Sequence, residues 1–362
     1  MKRNKSAIML VIISIVSTLI GGCGNSGNAK EPTANKEQSQ AQQNNGPMKE
    51  TFFIFDTVVN VSIYDDRATK ENLKDIEDLL NKIDNKISRT NSESEIFKVN
   101  ANSGIAPVQV SPDTFELVSI AIDYAKRTNG LLDPSIGRLV TLWNIGHEGA
   151  HVLPIEEIAP MQQLCDYRKI EMNEETHEIY LQDKGMEIDL GSYGKGYAAD
   201  AVYDYLAEQG FNSAIIDLGG NVFAMGQKPT GEDWNIGIQD PTQERGIPIG
   251  SIRINDKTVV TAGIYERYFI EDGRMYPHII NPKTGYPVDN NISSVTIITD
   301  RSTDADTMDT ALVLLGIEEG LKFVENIPNA EVLFITKDKK LYASSGFKEM
   351  LNKTNDSYTY AN

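Results

Sequence analysis

The order of strand-like and helix-like segments after residue 50 constrains the fold of this chain more than any other feature of its sequence. Short runs of β-branched and aromatic residues, which favour strands, outnumber the stretches with helical spacing. The strand-like runs cover residues 51–64, 169–172, 178–181, 186–190, 213–217, 234–238, 251–254, 259–262, 268–271, 295–299, 331–336 and 340–343, and the helix-like stretches cover 69–87, 112–128, 197–209 and 304–315. Strands and helices do not alternate one for one. The sequence therefore predicts an α+β fold, a single domain over residues 50–350 with a mixed, largely antiparallel sheet and packed helices, followed by a polar tail at 351–362.

The first 22 residues have the composition of a targeting segment. A basic start (Lys2, Arg3 and Lys5) precedes an apolar run at residues 7–20, and Gly21-Gly22-Cys23 follows it. This pattern predicts a secretory signal peptide over residues 1–22, and the small residues before Cys23 resemble a bacterial lipoprotein signal. Cys23 would then be lipidated and would attach the chain to the extracytoplasmic face of the cell membrane. An uncleaved signal anchor is the alternative, although the apolar run is shorter than the ~20 residues that span a bilayer.

Composition limits what the rest of the chain can bind and how it is stabilised. Residues 23–49 are rich in Asn, Gln, Gly and Lys, which predicts a flexible tether. The 362 residues include 52 acidic and 34 basic side chains, a net charge of −18, and removal of the three basic residues of the signal leaves −21. This charge argues against nucleic acid as a partner. Once Cys23 is lipidated, Cys165 is the only thiol, so the fold must hold without an intramolecular disulfide.

A glycine-rich loop is the first candidate for chemistry. Gly191, Gly194 and Gly196 lie between a strand-like run and a helix-like stretch. Glycines let backbone N–H groups approach an anion, a helix N-terminus adds partial positive charge, and Lys195 supplies a full one. The spacing matches neither the Walker A loop nor the Rossmann fingerprint. Both an anion-binding loop and a purely structural glycine turn remain open from these residues.

Two other segments combine turn-forming residues with polar groups. Residues 215–226 run from a strand into Gly219-Gly220, for which a bulge or tight turn is the simpler interpretation. His278, one of four histidines, stands just before an Asn-Pro-Lys-Thr-Gly turn. A single histidine at a strand end is more often structural than catalytic.

A possible cation site lies on the last predicted helix. Asp306 and Thr310 are one turn apart, on the face opposite the apolar stripe, and Mg²⁺ takes such oxygen ligands. The alternative is a solvated helix face. His147 and His151 also have ligand spacing, but the glycines and proline around them predict a loop, which argues against zinc.

Taken together, the motifs between Phe53 and Ser345 resemble the FAD:protein FMN transferase family, the ApbE-type flavin transferases. The matching segments, in chain order, are Phe55-Asp56-Thr57 (Met-Gly-Thr in the family), Gly130 to Trp143 (Gly-x-x-Asp-Pro), Asp189 to Asp200 (DLG-x-x-x-KGYA-x-D), His278 to Gly285 (H-x-I-(D/N)-P-x-TG) and Ala305 to Leu312 (A-D-x-x-x-T-A-L). Each motif is modest by itself, and their joint order is specific.

The resemblance implies a reaction. A flavin transferase domain would cleave FAD at its pyrophosphate, join FMN through a phosphoester to a Thr or Ser of a target flavoprotein, and release AMP. It also implies that Mg²⁺ is bound by Asp306, Thr310 and the backbone carbonyl of Ser192. The implied FAD contacts are Phe55, Leu131, Leu132, Asp133, Asp189, Lys195 and His278. His278, the candidate base for the acceptor hydroxyl, and Asp306 are the implied catalytic residues. An FAD pyrophosphatase that uses water, and a non-catalytic flavin-binding lipoprotein, are the competing interpretations.

Overall fold

The computed structural model describes residues 46–362, so the predicted signal peptide, Cys23 and most of the tether lie outside the described residues. The strands are β1 (Met48–Ile54), β2 (Thr57–Ile63), β3 (Val108–Gln109), β4 (Ile170–Asn173), β5 (Glu178–Leu181), β6 (Ser213–Leu218), β7 (Asn221–Gly226), β8 (Trp234–Gln239), β9 (Pro248–Ile254), β10 (Lys257–Gly263), β11 (Tyr268–Glu271), β12 (Arg274–Pro277), β13 (Ile292–Thr299), β14 (Glu331–Thr336), β15 (Lys340–Ala343), β16 (Asn352–Lys353) and β17 (Thr359–Tyr360). The helices are α1 (Lys70–Ile87), α2 (Glu95–Ala101), α3 (Pro112–Arg127), α4 (Gly137–Trp143), α5 (Ile155–Gln162), α6 (Gly194–Glu208), α7 (Ser302–Leu315), α8 (Ile317–Glu325) and α9 (Ser345–Met350).

A nine-stranded sheet in the order β1-β2-β6-β7-β10-β13-β14-β15-β17 forms the centre of the fold. Every neighbouring pair in it is antiparallel except β15 and β17, which are parallel. Three smaller sheets pair β11 with β12, β9 with β8 and β16, and β5 with β3 and β4. The predicted α+β class with a mixed, largely antiparallel sheet is therefore confirmed.

Both faces of the large sheet are covered, which explains why all eight residues of β13 are buried. On one face, Val295 and Ile297 pack in the same apolar core as Met308 and Leu312 of α7. On the other face, Ile298 packs in a core with Trp234 of β8 and with residues of β9. Among the described residues, none of the helices is long and apolar enough to span a bilayer.

Most predicted elements are present, and one predicted strand is wrong. The helix predicted over 69–87 is α1, which is capped by Thr69, and the histidine pair at 147 and 151 lies in a loop as expected. Residues 186–190 form no strand of a sheet. Their backbone is bonded instead by the Asn100 side chain, which donates to and accepts from Ile188, and by Pro134, whose carbonyl accepts from Asp189. The alternation of apolar and polar residues over 186–190 correctly predicted which side chains are buried, but it did not identify these hydrogen-bond partners of the backbone.

The segment predicted as a polar tail at 351–362 is ordered and packs on the domain at two points, although most of its side chains are exposed or partly exposed. Residues 352–353 and 359–360 pair as β16 and β17. Tyr358 is fully buried, and its hydroxyl donates to Asp240 Oδ1 over 2.5 Å. Asn355 donates to the other carboxylate oxygen. One buried carboxylate therefore holds the C-terminal segment.

Candidate active site

Lys195, which is partly exposed, and the buried Asp306 form an ion pair where the first turn of α6 meets α7. The Lys195 Nζ lies 2.6 Å from Asp306 Oδ1, and the Asp306 side chain is 1% exposed. Asn221 Nδ2 donates to the same oxygen over 2.7 Å, and the Gly196 amide donates to Oδ2 over 2.8 Å. Burial alone would lower the pKa of Lys195, but Asp306 and Asp309 outweigh it and raise the pKa above the ordinary value. Lys195 is therefore a fixed positive charge at neutral pH.

The glycines on either side of Lys195 let the first turn of α6 pack closely against its neighbours. A Cβ at Gly196 would collide with the Ser302 carbonyl and lie 2.6 Å from Asp306 Cβ, and a Cβ at Gly194 would collide with Ile87. The Gly194 amide donates to the Leu190 carbonyl, and the Gly196 amide already serves Asp306. The structural interpretation of the glycine turn thus holds for these two glycines, and Lys195 is the element of the loop that offers positive charge.

Hydroxyl and carboxylate oxygens gather next to the pair. The Thr310 hydroxyl lies 2.9 Å from Asp309 Oδ1 and 3.1 Å from the Ser192 hydroxyl. Asp309 is buried, and desolvation together with the nearby Asp306 raises its pKa to about 7. Asp306 is fully buried too, so the interpretation of a solvated helix face is wrong.

This donor set suits a hard cation. The carboxylates of Asp306 and Asp309 lie close to the hydroxyls of Thr310 and Ser192, and the charge of Lys195 acts on both acids. Oxygen ligands of this kind are the ones that Mg²⁺ selects. No cluster of three or more His, Cys, Asp or Glu side chains placed to hold a metal ion occurs in residues 46–362. A metal here would therefore use hydroxyl or backbone oxygens beside the carboxylates.

His278 follows β12 directly and is held by Arg267, the residue before β11. The His278 amide and the ring Nδ1 lie 3.0 and 3.2 Å from the Arg267 carbonyl. Since a carbonyl only accepts, Nδ1 carries the hydrogen and Nε2 keeps its lone pair. The His278 side chain is exposed, but the many protein atoms around the ring desolvate it, and this desolvation and the charges of Arg267 and Lys195 lower its pKa to about 4. The imidazole is therefore neutral at pH 7.

Arg267 is the site residue that the sequence analysis missed. Its charge acts on both Lys195 and His278, so the three basic groups are neighbours. Within residues 46–362 no hydrogen bond or ion pair engages its exposed guanidinium. The stretch Tyr265-Glu266-Arg267-Tyr268 has no motif that could have identified it.

The segments that carry Asp133 and Asp189 lie side by side and continue into the glycine loop. Asp189 accepts from the Gly191 amide over 2.7 Å and pairs with Arg89 Nε at 2.5 Å. Asp133 is buried, accepts from Ser135 and from the Tyr167 amide, and has its pKa raised by desolvation. Both carboxylates thus already have protein partners.

The other predicted FAD contacts differ in accessibility. Leu132 is buried in the main core, whereas Leu131 is partly exposed. A cavity of about 90 Å³ joins Asp133 to Lys283 of the turn after His278. A depression of about 600 Å³ on the sheet of β8, β9 and β16 contains none of the predicted site residues.

Phe55 lies at the tip of the β1–β2 hairpin. Phe55 and Asp56 have φ values of 56° and 53°, as a two-residue turn of this hand requires and as side chains other than Gly rarely adopt. Thr57 packs against Gly219, in the tight β6–β7 turn that ends at Asn221, the Asp306 partner. Gly219-Gly220 is therefore the tight turn that was expected.

A sequence model described as the ApbE family matches residues 55–334. A Treponema pallidum protein named FAD:protein FMN transferase is 34% identical over 310 residues, which cover 81% of this chain and 85% of the relative. A Klebsiella pneumoniae protein of the same name is 37% identical over 267 residues, which cover 74% and 83%.

Solved structures agree with these relatives. An ApbE protein from Thermotoga maritima superimposes with a TM-score of 0.77 at 30% identity and covers 85% of this chain and all of its own. The flavin transferase ApbE from Vibrio cholerae gives a TM-score of 0.76 at 28% identity and covers 84% of this chain and all of its own.

Proposed function

The chain belongs to the ApbE family, and we propose that it is an FAD:protein FMN transferase that modifies a Thr or Ser hydroxyl of a target flavoprotein and releases AMP. The observation that carries the proposal is the meeting of three basic groups, Lys195, Arg267 and a neutral His278, beside the buried carboxylate of Asp306. Such a site can bind a pyrophosphate and still accept a proton. The matches to proteins of this name support it.

The proposed step is an in-line phosphoryl transfer. The acceptor hydroxyl oxygen attacks the phosphorus on the FMN side of the FAD pyrophosphate, and the bond from that phosphorus to the bridging oxygen breaks. FMN then forms a phosphoester with the protein, and AMP leaves with the electron pair of the broken bond. Phosphoryl transfer requires positioning and charge neutralisation more than covalent chemistry, which fits a site of fixed charges.

His278 receives the hydroxyl proton in this scheme. Its Nδ1–H is held by the Arg267 carbonyl, so Nε2 is the free lone pair. A positioned neutral imidazole typically contributes 10²–10⁴-fold to such a step. Lys195 and Arg267 lie near this imidazole, where they would offset the charge that develops on the AMP phosphate.

Mg²⁺ is part of the proposal. Asp306, Thr310 and the backbone carbonyl of Ser192 would hold it, and Asp309 adds a further carboxylate beside Thr310. When bound, the ion would neutralise pyrophosphate charge as a Lewis acid. Asp309 supports the assignment, because it is buried beside Asp306 and Lys195 only partly offsets the charge of the two acids, which raises the pKa of Asp309.

We also propose that Cys23 is lipidated and that the enzyme works at the extracytoplasmic face of the cell membrane. The leader pattern supports this, and the acidic excess fits a tethered domain without affinity for nucleic acid.

Mass measurement of an acceptor tests the proposed reaction. The purified mature chain is incubated with FAD, Mg²⁺ and exported flavoproteins of the source organism, and each protein is then weighed. A mass increase equal to FMN minus water, with one AMP released per adduct, is expected. Free FMN and AMP with no adduct would mean a pyrophosphatase, and intact FAD would mean a flavin-binding lipoprotein.

The metal assignment is tested by Asp306→Asn. We expect at least a hundredfold loss of transfer and loss of Mg²⁺ dependence, because the amide cannot neutralise a divalent ion. Asp304→Asn is the matched control on the same helix, since Asp304 bonds the Tyr124 hydroxyl instead. Wild-type turnover in Asp306→Asn would contradict the assignment.

A further inference from the structure

The hairpin formed by β11 and β12 is the element of the fold closest to His278. It begins after Arg267 and ends immediately before His278, and the Arg267 carbonyl holds His278 by two hydrogen bonds. Asp272 and Gly273, with φ values of 50° and 77°, form its two-residue turn. The hairpin is thus a well-defined projection whose base is the candidate active site.

The two faces of this hairpin have different environments. On the inner face, Phe269 and Tyr276 stack on each other at 4.9 Å and 8°, and both rings lie against the buried Trp143. We define the outer face as the side chains of Tyr268, Ile270 and Met275, which are 41%, 63% and 37% exposed. Ile270 and Met275 stand directly opposite each other on the two strands.

The outer face has no structural reason to be apolar. An isolated hairpin is marginally stable in water, but the Trp143 packing on the inner face already holds this one. A single exposed apolar residue needs no explanation, whereas three on one face, next to a site, indicate a contact that forms with another molecule.

We propose that the outer face binds the acceptor flavoprotein, on an apolar segment next to the hydroxyl that receives FMN. The inference rests on the proposed function, because the hydroxyl must reach His278 Nε2 at the base of the hairpin. Ile270 is two residues from that base along β11, or about 7 Å at strand spacing. Acceptor residues two or three positions from the modified hydroxyl can therefore contact Ile270 and Met275.

The charges and size of the surface favour a transient protein partner. The tip carries Glu271 and Asp272, and Arg274 is paired with Asp289 at 2.6 Å, so among the described residues the tip presents no basic cluster for anionic lipid. Three side chains fall far short of the roughly 1,600 Å² that a stable complex buries. A substrate that must leave after each turnover suits such a surface better than a second copy of the chain.

The test compares the double variant Ile270→Ser, Met275→Ser with the control Ile105→Ser, a 67% exposed apolar residue in the loop after α2. All are made in the full mature chain. The acceptor is any exported flavoprotein that the wild-type enzyme modifies in the transfer assay. We expect about a tenfold higher KM for this acceptor in the double variant, with kcat, FAD affinity and thermal midpoint unchanged. The control should match the wild type.

Unchanged acceptor KM in the double variant, with active wild type, would overturn the docking inference and leave the transferase proposal intact. A wild-type enzyme that modifies no protein would overturn the proposed function itself. Two further measurements address other occupants: flotation with phosphatidylglycerol vesicles and sedimentation of the free chain. Vesicle binding or a dimer that the double variant abolishes would assign this face to lipid or to a second copy and would also overturn the inference.

Discussion

The imidazole of His278 has one nitrogen committed to structure and one available for chemistry. The variant His278→Asn keeps a side-chain donor for the Arg267 carbonyl but has no basic nitrogen. We expect it to bind FAD as the wild type does and to transfer FMN 10²–10⁴-fold more slowly. Transfer at the wild-type rate in this variant would show that another group accepts the proton.

The pH dependence of wild-type transfer provides a second test of the same residue. Because the folded protein lowers the pKa of His278 from 6.5 to about 4, the base stays neutral, and transfer should persist well below pH 6.5. The same shift stabilises the fold above the unfolded pKa, and this contribution is lost as pH falls from about 6.5 towards the folded value. The profile is measured at saturating Mg²⁺, which would keep the Asp309 carboxylate ionised, and an acid limb centred at or above pH 6.5 under that condition would contradict the lowered pKa of His278.

Arg267 should contribute both to the binding of FAD and to the rate of FMN transfer. Arg267→Gln removes a charge that lies close to Lys195 and His278 and that has no partner in the described residues, so we expect a tenfold to hundredfold loss of transfer. The acid limb should also move to higher pH, because one cause of the low His278 pKa is gone. A purely structural role would not move that limb. Arg253→Gln, at an exposed position of strand β9, is the control and should leave both quantities unchanged.

Single residues were predictable from sequence where they stand in a spaced motif. Lys195, Ser192, Asp306 and Thr310 were found in this way, and the structure brings them together. Arg267 was not, because its role depends on a carbonyl and a charge that meet His278 only in the folded hairpin. Asp309 shows the same limit, since its burial is a property of α7 in the fold.

At the level of elements, the contact between α6 and α7 decides whether the site can form. Gly196→Ala would place a methyl group against the Ser302 carbonyl and 2.6 Å from Asp306 Cβ, and backbone must move to accommodate it. We expect a loss of about 1–3 kcal/mol in the free energy of unfolding, measured by denaturant titration, and a fall in transfer. Gly237→Ala, whose Cβ would lie 3.4 Å from its nearest neighbour, is the control. Equal stability of the two variants would contradict the packing role.

Helices and strands were predictable where the spacing of apolar residues also determines which backbone groups they bond to. The helix α1 and the strands of the large sheet other than β7 and β17 follow from spacing alone. Residues 186–190 alternate as a strand does, but Asn100 and Pro134 satisfy their backbone from distant parts of the chain. The tail was predicted only to be polar, and its composition does not reveal that Tyr358 is buried and donates to Asp240 through one tertiary hydrogen bond.

For the whole molecule, net charge and local charge have opposite signs. The chain carries −18 overall, yet its proposed substrate is anionic. Lys195 and Arg267 stand together near the neutral His278, and both charges act on that ring, so the local potential can favour a pyrophosphate. Raising the salt concentration should weaken FAD binding modestly, since the exposed Arg267 is screened whereas the partly buried Lys195–Asp306 pair is screened less.

In the proposal, membrane attachment of the whole molecule depends on one thiol, that of Cys23. Cys23→Ala should abolish incorporation of radiolabelled palmitate in growing cells and move the chain out of the membrane fraction, while the purified domain keeps its transfer rate. Cys165→Ala is the matched control. Cys165 is partly buried, and burial and Asp133 raise its thiol pKa to about 12, so it has little thiolate to acylate. We therefore expect Cys165→Ala to retain the label. Label that persists in Cys23→Ala and disappears in Cys165→Ala would assign the lipid to Cys165 and overturn the lipoprotein proposal.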